Sequence, residues 1–327
     1  MDGKKSGKIN IVQVLLDYGL LLALCLIIII VSLRTDSFLT LDNIVNIMRQ
    51  VAHTGIMALG VAVVIIAGHM DLSISSTVTM TGVVCVSYIK YMQADMLGIV
   101  LGLLTGIGIG LLNGLIIANI TSKKGRKGES FIITYGMQSA IAATALLYTN
   151  GIYMNLTEKS FHSVFGSGYV PIIIFFVLAV VLEYIMKCTP FGQQVYFIGT
   201  NEAAARMSGI QVKRVTVLIF TIAGLFAAIA GVVLTSRVGA ASSTSGNGLE
   251  LEAIAAVVVG GTALSGGKGG IMKTVLGVIV MGVLSNALRL LNIDTYPQMM
   301  IRGAIIILAV LLDVLATQFK EKGGAKA

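Results

Sequence analysis

The chain has 327 residues, of which 56% are apolar and only 12% charged, with a formal net charge of +8. A soluble domain carries about 25% charged residues, and uncharged runs that approach the roughly 20 residues needed to cross a bilayer exclude a large soluble core. The lysines and arginines lie mostly in short loops and at the termini, which indicates orientation in a membrane and no nucleic-acid partner.

The apolar runs show no alternation of polar and apolar residues, which excludes a barrel, whose strands alternate over about ten residues. Lipid offers no water to backbone amides, so the spans must be helices. The chain contains 38 glycines, and small residues allow membrane helices to approach closely. We therefore predict an all-α, polytopic bundle that forms a single transmembrane domain over residues 1–327.

Ten apolar runs follow one another along the chain, and we predict one transmembrane helix for each. They cover residues 18–33, 51–67, 72–89, 96–122, 130–153, 169–186, 215–236, 253–267, 271–288 and 299–315. The first run is followed by no A-x-A cleavage site, so we expect a retained span and not a signal peptide. The eighth run is too short to cross comfortably.

Clusters of lysine and arginine test this count independently of hydropathy, because cytoplasmic loops are enriched in both. With the N-terminus inside, nearly every cluster falls on the inner side, namely those in residues 4–8, 123–127, 187–214, 268–273 and 320–326. The turn at residues 68–73 is the weak point, since it carries His69 and Asp71 but no basic residue to mark it as an inner turn. We predict that both termini are cytoplasmic.

Residues 257–274 look like a phosphate-binding loop, but their spacing excludes one. Such a loop needs Gly, four residues, then Gly-Lys-Ser/Thr, whereas Thr262 stands at the first glycine position and Gly269 follows Lys268. The glycines of this stretch include Gly260, Gly261, Gly266 and Gly267. Two interpretations stay open, a short glycine-broken helix beside a substrate pathway or a tight inner turn.

Two stretches of the sequence resemble each other. Residues 111–120 and 284–293 share Leu-x-Asn-x-Leu followed by Asn-Ile, at the ends of the fourth and ninth spans. Spans five apart have opposite orientations, so this match predicts an inverted repeat. A further match, between residues 68–73 and 260–265, needs a different offset, and we set it aside as a coincidence of common residues.

No catalytic or metal-binding pattern is present. The three histidines lie in different loops or span ends, the three cysteines are isolated, and H-E-x-x-H does not occur. Gly106, Gly108 and Gly110 lie in an apolar run, which favours helix packing over a cofactor site. Charges in or beside spans are functional candidates, although a structural role is favoured for each, namely solvation near a span end or, for Asp71, capping of the helix that follows. These charges are Asp71, Glu183, Glu250, Glu252, Arg302 and Asp313.

The basic inner loop at residues 187–214 is too long for a structureless connection. Its Ala-rich and Glu-containing stretch from Glu202 favours a short helix, and Gly209 can end that helix in a left-handed cap. A small helix presented on a rigid membrane body is typical of a docking element.

Five stretches together carry a resemblance to a known family. They are Phe38-Leu39-Thr40-Leu41-x-Asn43-Ile44, Gly68-x-x-Asp71-Leu72-Ser73, Thr189-Pro190-Phe191-Gly192, Gly199-x-Asn201-x-Ala203-Ala204-x-x-x-Ser208-Gly209-Ile210 and Gly260-Gly261-x-x-Leu264-x-Gly266-Gly267-x-Gly269. The sequence resembles the permease subunits of bacterial ATP-binding-cassette importers, in the branch that takes up ribose, galactose, arabinose, xylose and autoinducer-2. Ser75 replaces a glycine that is usual in this family, and His69 occupies a variable position, so the motif does not identify the substrate.

The resemblance implies a core of two permeases, formed by two copies of this chain or by the chain and a paralogue, in the lipid of the bacterial plasma (inner) membrane. It also implies cytoplasmic ATPase subunits and an extracytoplasmic sugar-binding protein. ATP would be bound by the partner, so this chain would be no enzyme and would need no cofactor. The ten helices would adopt the arrangement of cobalamin-type (type II) importers.

The resemblance also assigns roles to residues. The ATPase-docking candidates are Gly192, Gly199, Asn201, Glu202, Ala203, Ala204, Arg206, Ser208 and Gly209. The candidates for a gating or structural motif are Asp71, Ser73, Gly260, Gly261, Gly266 and Gly267.

The expected function is translocation of a monosaccharide through the membrane. A neutral sugar needs polar side chains more than fixed charges, and the pathway candidates are Asn113, Thr134, Gln138, Ser285 and Asn286. Their alternative role is hydrogen bonding between helices. An ion-coupled carrier, the rival class, is expected to keep acids or histidines near the membrane midplane, whereas most acids here lie toward span ends. An intramembrane enzyme would need a nucleophile and a base, which the sequence does not offer.

Overall fold

In a computed structural model, the described residues are 24–121, 128–156, 161, 165–294, 296–305, 307–308 and 311. They belong to two compact units, one formed by the chain up to residue 44 together with residues from 280 onward, and the other by residues 45–279. The predicted spans at residues 18–33 and 299–315 lie partly outside the described residues. Asp313 and the basic clusters at both termini and at residues 123–127 lie wholly outside them.

Helices dominate the described part of the chain. They are α1 (Leu41–Ile66), α2 (Ile74–Met92), α3 (Asp95–Thr121), α4 (Glu129–Thr149), α5 (Val170–Cys188), α6 (Pro190–Thr200), α7 (Glu202–Met207), α8 (Val212–Val238), α9 (Leu249–Val259) and α10 (Ile271–Leu290). Residues 24–32 and 296–305 are also helical. The prediction of a polytopic helical protein is therefore confirmed.

A short antiparallel strand pair interrupts the helical pattern. β1 (Met154–Asn155) pairs with β2 (Ala240–Ala241). The apolar run that predicts a helix through residue 153 is divided because α4 ends at Thr149, where Asn150 adopts a left-handed φ of 49° and its N–H bonds back to the carbonyls of Leu146 and Leu147. Asparagine tolerates this backbone region better than most residues do, so the apolar residues beyond it leave the helix.

Six helices of the described part are long and apolar enough to cross a membrane, namely α1, α3, α4, α5, α8 and α10. The predicted third and eighth spans are not among them. α2 is rich in serine and threonine, and α9 has only 11 residues. The count of ten spans therefore stays a prediction.

α2, α3 and α8 form the most extensive packing in the 45–279 unit. The α3–α8 contact depends on glycine. A Cβ on Gly106 would lie 2.5 Å from the Cβ of Ala228, and one on Gly110 would lie 3.0 Å from the Cα of Gly224. A Cβ on Gly108 would meet no atom within 4 Å. Gly106 and Gly110 are therefore packing residues, as the sequence indicates, whereas Gly108 is not part of this contact.

Burial distinguishes the helices within the bundle. In the 18-residue apolar stretch of α1, 83% of the residues are buried, whereas the corresponding shares in α3, α4 and α5 are 28%, 22% and 28%. The apolar side chains that α3, α4 and α5 leave exposed match a lipid environment, because lipid tails are as apolar as leucine.

Candidate functional site

A non-helical segment at residues 67–73, called here the polar break, separates α1 from α2. α1 ends at Ile66, and Gly68 two residues later has a left-handed φ of 81°. The N–H groups of Gly68 and His69 donate to the carbonyls of Ile65 and Val64 at 2.8 and 3.0 Å. This is the double hydrogen bond of a glycine-ended helix, so the chain leaves the helix direction before Asp71.

The buried carboxylate of Asp71 organises the end of the polar break. Its Oδ1 accepts the backbone N–H of Ser73 at 2.9 Å and the Ser73 hydroxyl at 2.6 Å. The residue that caps α2 is Ser73, and its side chain makes no capping hydrogen bond. Asp71 therefore does not cap α2 directly, as the sequence suggests it could, but fixes the residue that precedes the helix.

α3 contributes Asn113 to the same network. Its Nδ2 donates to the Ser73 hydroxyl at 2.7 Å, and both side chains are buried. The amide oxygen of Asn113 is buried and has no hydrogen-bond partner within the described residues. An unpaired buried acceptor costs about 1–3 kcal/mol, so this oxygen is suited to receive a hydroxyl from a ligand.

α4 holds the polar break through its hydroxyl side chains. The Thr134 hydroxyl oxygen accepts the backbone N–H of Leu72, and the Ser130 hydroxyl oxygen accepts that of Met70, both at 3.2 Å. Thr134 donates its own proton to the Ser130 carbonyl at 2.9 Å. The backbone of the polar break thus uses side chains of a neighbouring helix in place of the helical hydrogen bonds that it has lost.

The third predicted pathway residue of this unit, Gln138, joins α4 to α2 and α9. Its Nε2 lies 3.3 Å from both the Ser75 hydroxyl and Oε1 of Glu250. Ser130, Thr134 and Gln138 are spaced four residues apart and therefore share one face of α4. That spacing in the sequence identifies Ser130, which the list of predicted pathway residues omits.

The remaining two pathway candidates belong to the other compact unit. Asn286 and Asn43 exchange amide hydrogen bonds of 2.8 and 3.0 Å, and Asn43 also donates to the Phe38 carbonyl at 2.8 Å. The carbonyl of Ser285 accepts from Arg289 at 3.2 Å. Asn286 thus performs the alternative role of the pathway candidates, a hydrogen bond between elements of the bundle.

The glycine-rich stretch at residues 260–270 is non-helical and contacts the end of α1. The N–H of Gly267 donates to the Ile66 carbonyl at 2.8 Å, and a Cβ on Gly266 would lie 2.6 Å from the Cα of Gly68. Gly260 and Gly261 follow the end of α9 at Val259, eight residues before the expected end of that span. The two stretches whose sequence match was set aside, 68–73 and 260–265, therefore belong to neighbouring segments.

The predicted docking loop contains two helices. The predicted one is confirmed as α7: Asn201 caps it by accepting the Ala204 N–H at 3.0 Å, and Gly209 ends it with a φ of 83°. α6 is not predicted, although Thr189 followed by proline is a helix start. Asn201, Ala203, Arg206, Ser208 and Gly209 are exposed, Ala204 is half-buried, and Gly192, Gly199 and Glu202 are buried.

Two of the buried docking candidates have structural partners. Glu202 accepts from Arg206 at 2.8 Å, so its carboxylate is engaged within α7. Gly199 lies against the backbone of Ile66 and Gly267, and a Cβ there would collide with the Ile66 carbonyl oxygen. The docking segment therefore contacts the end of α1 where the glycine-rich stretch is bonded to it.

Tyr196 strengthens this contact. Its hydroxyl donates to the Gly269 carbonyl at 3.2 Å. Burial, with a smaller contribution from the charge of Glu183, raises the pKa of the Tyr196 phenol, so the phenol remains protonated and able to donate. Glu183 itself forms an ion pair with Lys187 at 2.6 Å.

Six helices that are long and apolar enough to span a bilayer, joined by a hydrogen-bonded polar break and an exposed short helix, are those of a multi-pass membrane protein. The chain belongs to the family described as branched-chain amino acid transport system / permease component, whose model matches residues 43–310.

Individual relatives cover nearly the whole chain. The chain is 38% identical to the ribose import permease protein of Haemophilus influenzae and 39% identical to that of Bacillus subtilis, each over 94% of this chain and 96% of the relative. It is 34% identical to an L-arabinose ABC transporter permease protein of Azospirillum brasilense, over 90% of this chain and 86% of the relative. No solved structure matches.

Family membership confirms the predicted class. The chain is a permease subunit and not an enzyme, and neither the ion-coupled carrier nor the intramembrane enzyme is favoured by the relatives. The resemblance carried by the five sequence stretches is therefore confirmed at the level of the family.

Proposed function

We propose that this chain is the membrane subunit of an ATP-driven importer and that it translocates a monosaccharide of the ribose type. The observation that carries the proposal is the similarity, over nearly the full length, to several proteins named ribose import permease. A relative named for L-arabinose transport supports a sugar of similar size.

The chemistry of the polar break suits a neutral polyol. Asn113, Thr134 and Gln138 offer amide and hydroxyl groups, which can exchange hydrogen bonds with sugar hydroxyls. The unpartnered Asn113 oxygen lies next to Ser73 and Asp71 in the same network. Asn113, Thr134 and Gln138 form the proposed pathway in the 45–279 unit. Ser285 and Asn286 remain candidates in the other unit.

Energy would enter through the docking segment at residues 187–214. In this proposal, a cytoplasmic ATPase binds ATP and contacts the exposed surface of α7, while this chain needs no cofactor of its own. The movement of the ATPase would pass through Gly199 to Ile66, and from there into the polar break that follows α1. The contacts of Gly199 and Tyr196 with the α1 end and the glycine-rich stretch support this route.

The complete importer in this proposal contains further components. An extracytoplasmic binding protein delivers the sugar, and a second permease, either a copy or a paralogue, completes the pathway in the lipid bilayer. Each permease has ten spans in the type II arrangement with both termini cytoplasmic, and its halves form an inverted repeat. Asp71, Ser73 and the glycines Gly260, Gly261, Gly266 and Gly267 act in gating.

Reconstitution tests the proposal. The chain is placed in liposomes with its ATPase and its binding protein, and uptake of radiolabelled D-ribose and L-arabinose is measured with and without ATP. We expect uptake only when all components and ATP are present, and none with an ATPase variant unable to hydrolyse ATP. Sugar uptake by the chain alone, driven by a proton or sodium gradient, would contradict the proposal.

A further inference from the structure

The first turn of α9 places a partly buried acidic side chain against α4. Glu250 follows Gly248, which has a left-handed φ of 83°, and its Oε1 lies 3.3 Å from Nε2 of Gln138. Gln138 lies near the middle of α4, a 21-residue helix apolar enough to cross the membrane. The carboxylate therefore lies beside the middle of α4.

One oxygen of this carboxylate makes no hydrogen bond to the described residues. Oε2 of Glu250 is buried and lacks a hydrogen-bond partner within the described part of the chain. The helix dipole favours a negative group in the first turn of α9, and Gln138 supplies one N–H, but neither satisfies the second oxygen. A polar group left in this condition is costly, which indicates that it acquires a donor during the transport cycle.

Gln138 is held so that it points at this carboxylate. The same Nε2 that approaches Glu250 also lies 3.3 Å from the Ser75 hydroxyl on α2. Ser75 is buried and directs its own proton toward the Leu72 carbonyl in the polar break, although at a long 3.5 Å. Side chains of α2, α4 and α9 thus meet at Gln138, and the Glu250 carboxylate is connected to the polar break through Gln138 and Ser75.

We propose that Glu250 is a specificity-determining residue whose free carboxylate oxygen accepts a hydroxyl of the translocated sugar, with Gln138 and Ser75 as positioning residues. This inference rests on the proposed sugar-import function and adds a specific contact to it. A carboxylate that accepts from a sugar hydroxyl forms a charge-assisted hydrogen bond, which is stronger than a bond between neutral groups.

A bound cation is the competing occupant, and the composition of the site argues against it. A calcium ion takes six to eight oxygen ligands, mostly from several carboxylates and carbonyls. In the part of the chain that the structure describes, no three His, Cys, Asp or Glu side chains group together in a way that could hold a metal ion. The amide donor of Gln138 beside Glu250 would also repel a cation, whereas it tolerates a hydroxyl.

The test compares sugars that differ by one hydroxyl. Uptake of D-ribose, its 2-deoxy, 3-deoxy and 5-deoxy analogues, and L-arabinose is measured in the complete importer for the wild type and for Glu250→Gln. The ratio of wild-type to variant uptake is taken for each sugar, so that the preference of the binding protein cancels. We expect a loss of about tenfold for sugars that keep the contacted hydroxyl, and a ratio near one for the analogue that lacks it.

Glu252→Gln is the matched control, because it makes the same substitution two residues further along α9. We expect it to leave the ratio equal for all sugars. If Glu250→Gln does not accumulate in the membrane, Ser75→Ala provides the second comparison, since it removes the hydroxyl that helps to hold Gln138 toward Glu250. Both variants are checked for membrane level and for ATP hydrolysis by the assembled importer.

Three results would overturn the inference. They are an equal loss for every sugar in Glu250→Gln, a sugar-dependent ratio that Glu252→Gln reproduces, and a new dependence of uptake on a proton or sodium gradient, which would assign the carboxylate to a cation. Failure of the proposed function gives a different result, because the wild-type importer would then take up none of these sugars.

Discussion

Gly199→Ala introduces one methyl group at the contact between α6, the end of α1 and the glycine-rich stretch. The new Cβ would overlap the Ile66 carbonyl oxygen and lie 2.5 Å from the Gly267 nitrogen. Carbon atoms pack best at about 3.5–4.0 Å, so one of these segments must move by roughly 1 Å. The hydrogen bond between Gly267 and Ile66, 2.8 Å long, lies at the point of overlap.

The cost follows from these contacts. Overpacking a dense site costs about 1–3 kcal/mol, and loss of the Gly267 hydrogen bond adds about 1 kcal/mol. Because the same contact is the proposed route from the docking segment to the polar break, we expect ribose uptake to fall by about tenfold or more. ATP hydrolysis by the assembled importer should continue, since Gly199 is buried and lies outside the exposed surface of α7.

Sugar uptake and ATP hydrolysis are measured side by side in proteoliposomes, together with the thermal unfolding midpoint of the purified chain. Gly136→Ala is the control, because a Cβ on Gly136 meets no atom within 4 Å and alanine is the better helix former. Ribose transport at the wild-type rate by Gly199→Ala, together with unfolding at the wild-type temperature, would refute the importance of this contact.

Three further predictions concern stability and docking. Asn43→Leu should lower the free energy of unfolding by about 1–3 kcal/mol because it strands the Asn286 amide, and the double leucine variant should recover part of the loss in detergent melting experiments. Asn201→Ala removes the cap of α7 and should lower the stability of this helix by about 1 kcal/mol. Protease treatment should therefore cleave the docking segment faster in this variant. Thr134→Val keeps the side-chain shape but deprives the Leu72 N–H of its acceptor, so we expect about 1–3 kcal/mol of destabilisation, and an unchanged melting temperature would contradict this assignment.

The apolar runs predict where most helices lie but not where they begin. α1 starts at Leu41, ten residues before the run at residues 51–67, because Asn43 and its neighbours are too polar to register as a membrane segment. The structure accommodates Asn43 by pairing it with Asn286. That pairing joins residues far apart in the chain, so no local pattern could reveal it.

The docking segment shows the opposite balance. The caps of α7, Asn201 and Gly209, follow local rules, and the sequence predicts the helix correctly. The partners of Gly199 are Ile66 and Gly267, and only the fold brings them together. The sequence can therefore predict that glycine is needed somewhere in this loop, but not which backbone it must admit.

The candidate site divides in the same way. The sequence predicts Thr134 and Gln138 as polar residues in an apolar run, and their four-residue spacing extends the set to Ser130. The approach of Glu250 to Gln138 depends on how α9 enters the bundle after a left-handed glycine, which the sequence does not specify. Hydropathy marks Glu250 only as a charge beside an apolar run, and its contact with Gln138 is visible only in the fold.

The hydroxyl-rich character of α2 bears on how the chain is inserted during synthesis. The hydroxyls of Ser76 and Thr77 donate hydrogen bonds to the Ser73 carbonyl, and that of Thr79 donates to the Ser75 carbonyl. These polar groups still make α2 a poor candidate for partition into lipid by itself. α3 follows almost immediately, is strongly apolar, and packs along α2. We therefore expect the membrane-insertion machinery to release these two helices into the bilayer as a hairpin, in which the apolar α3 compensates for the polar side chains of α2.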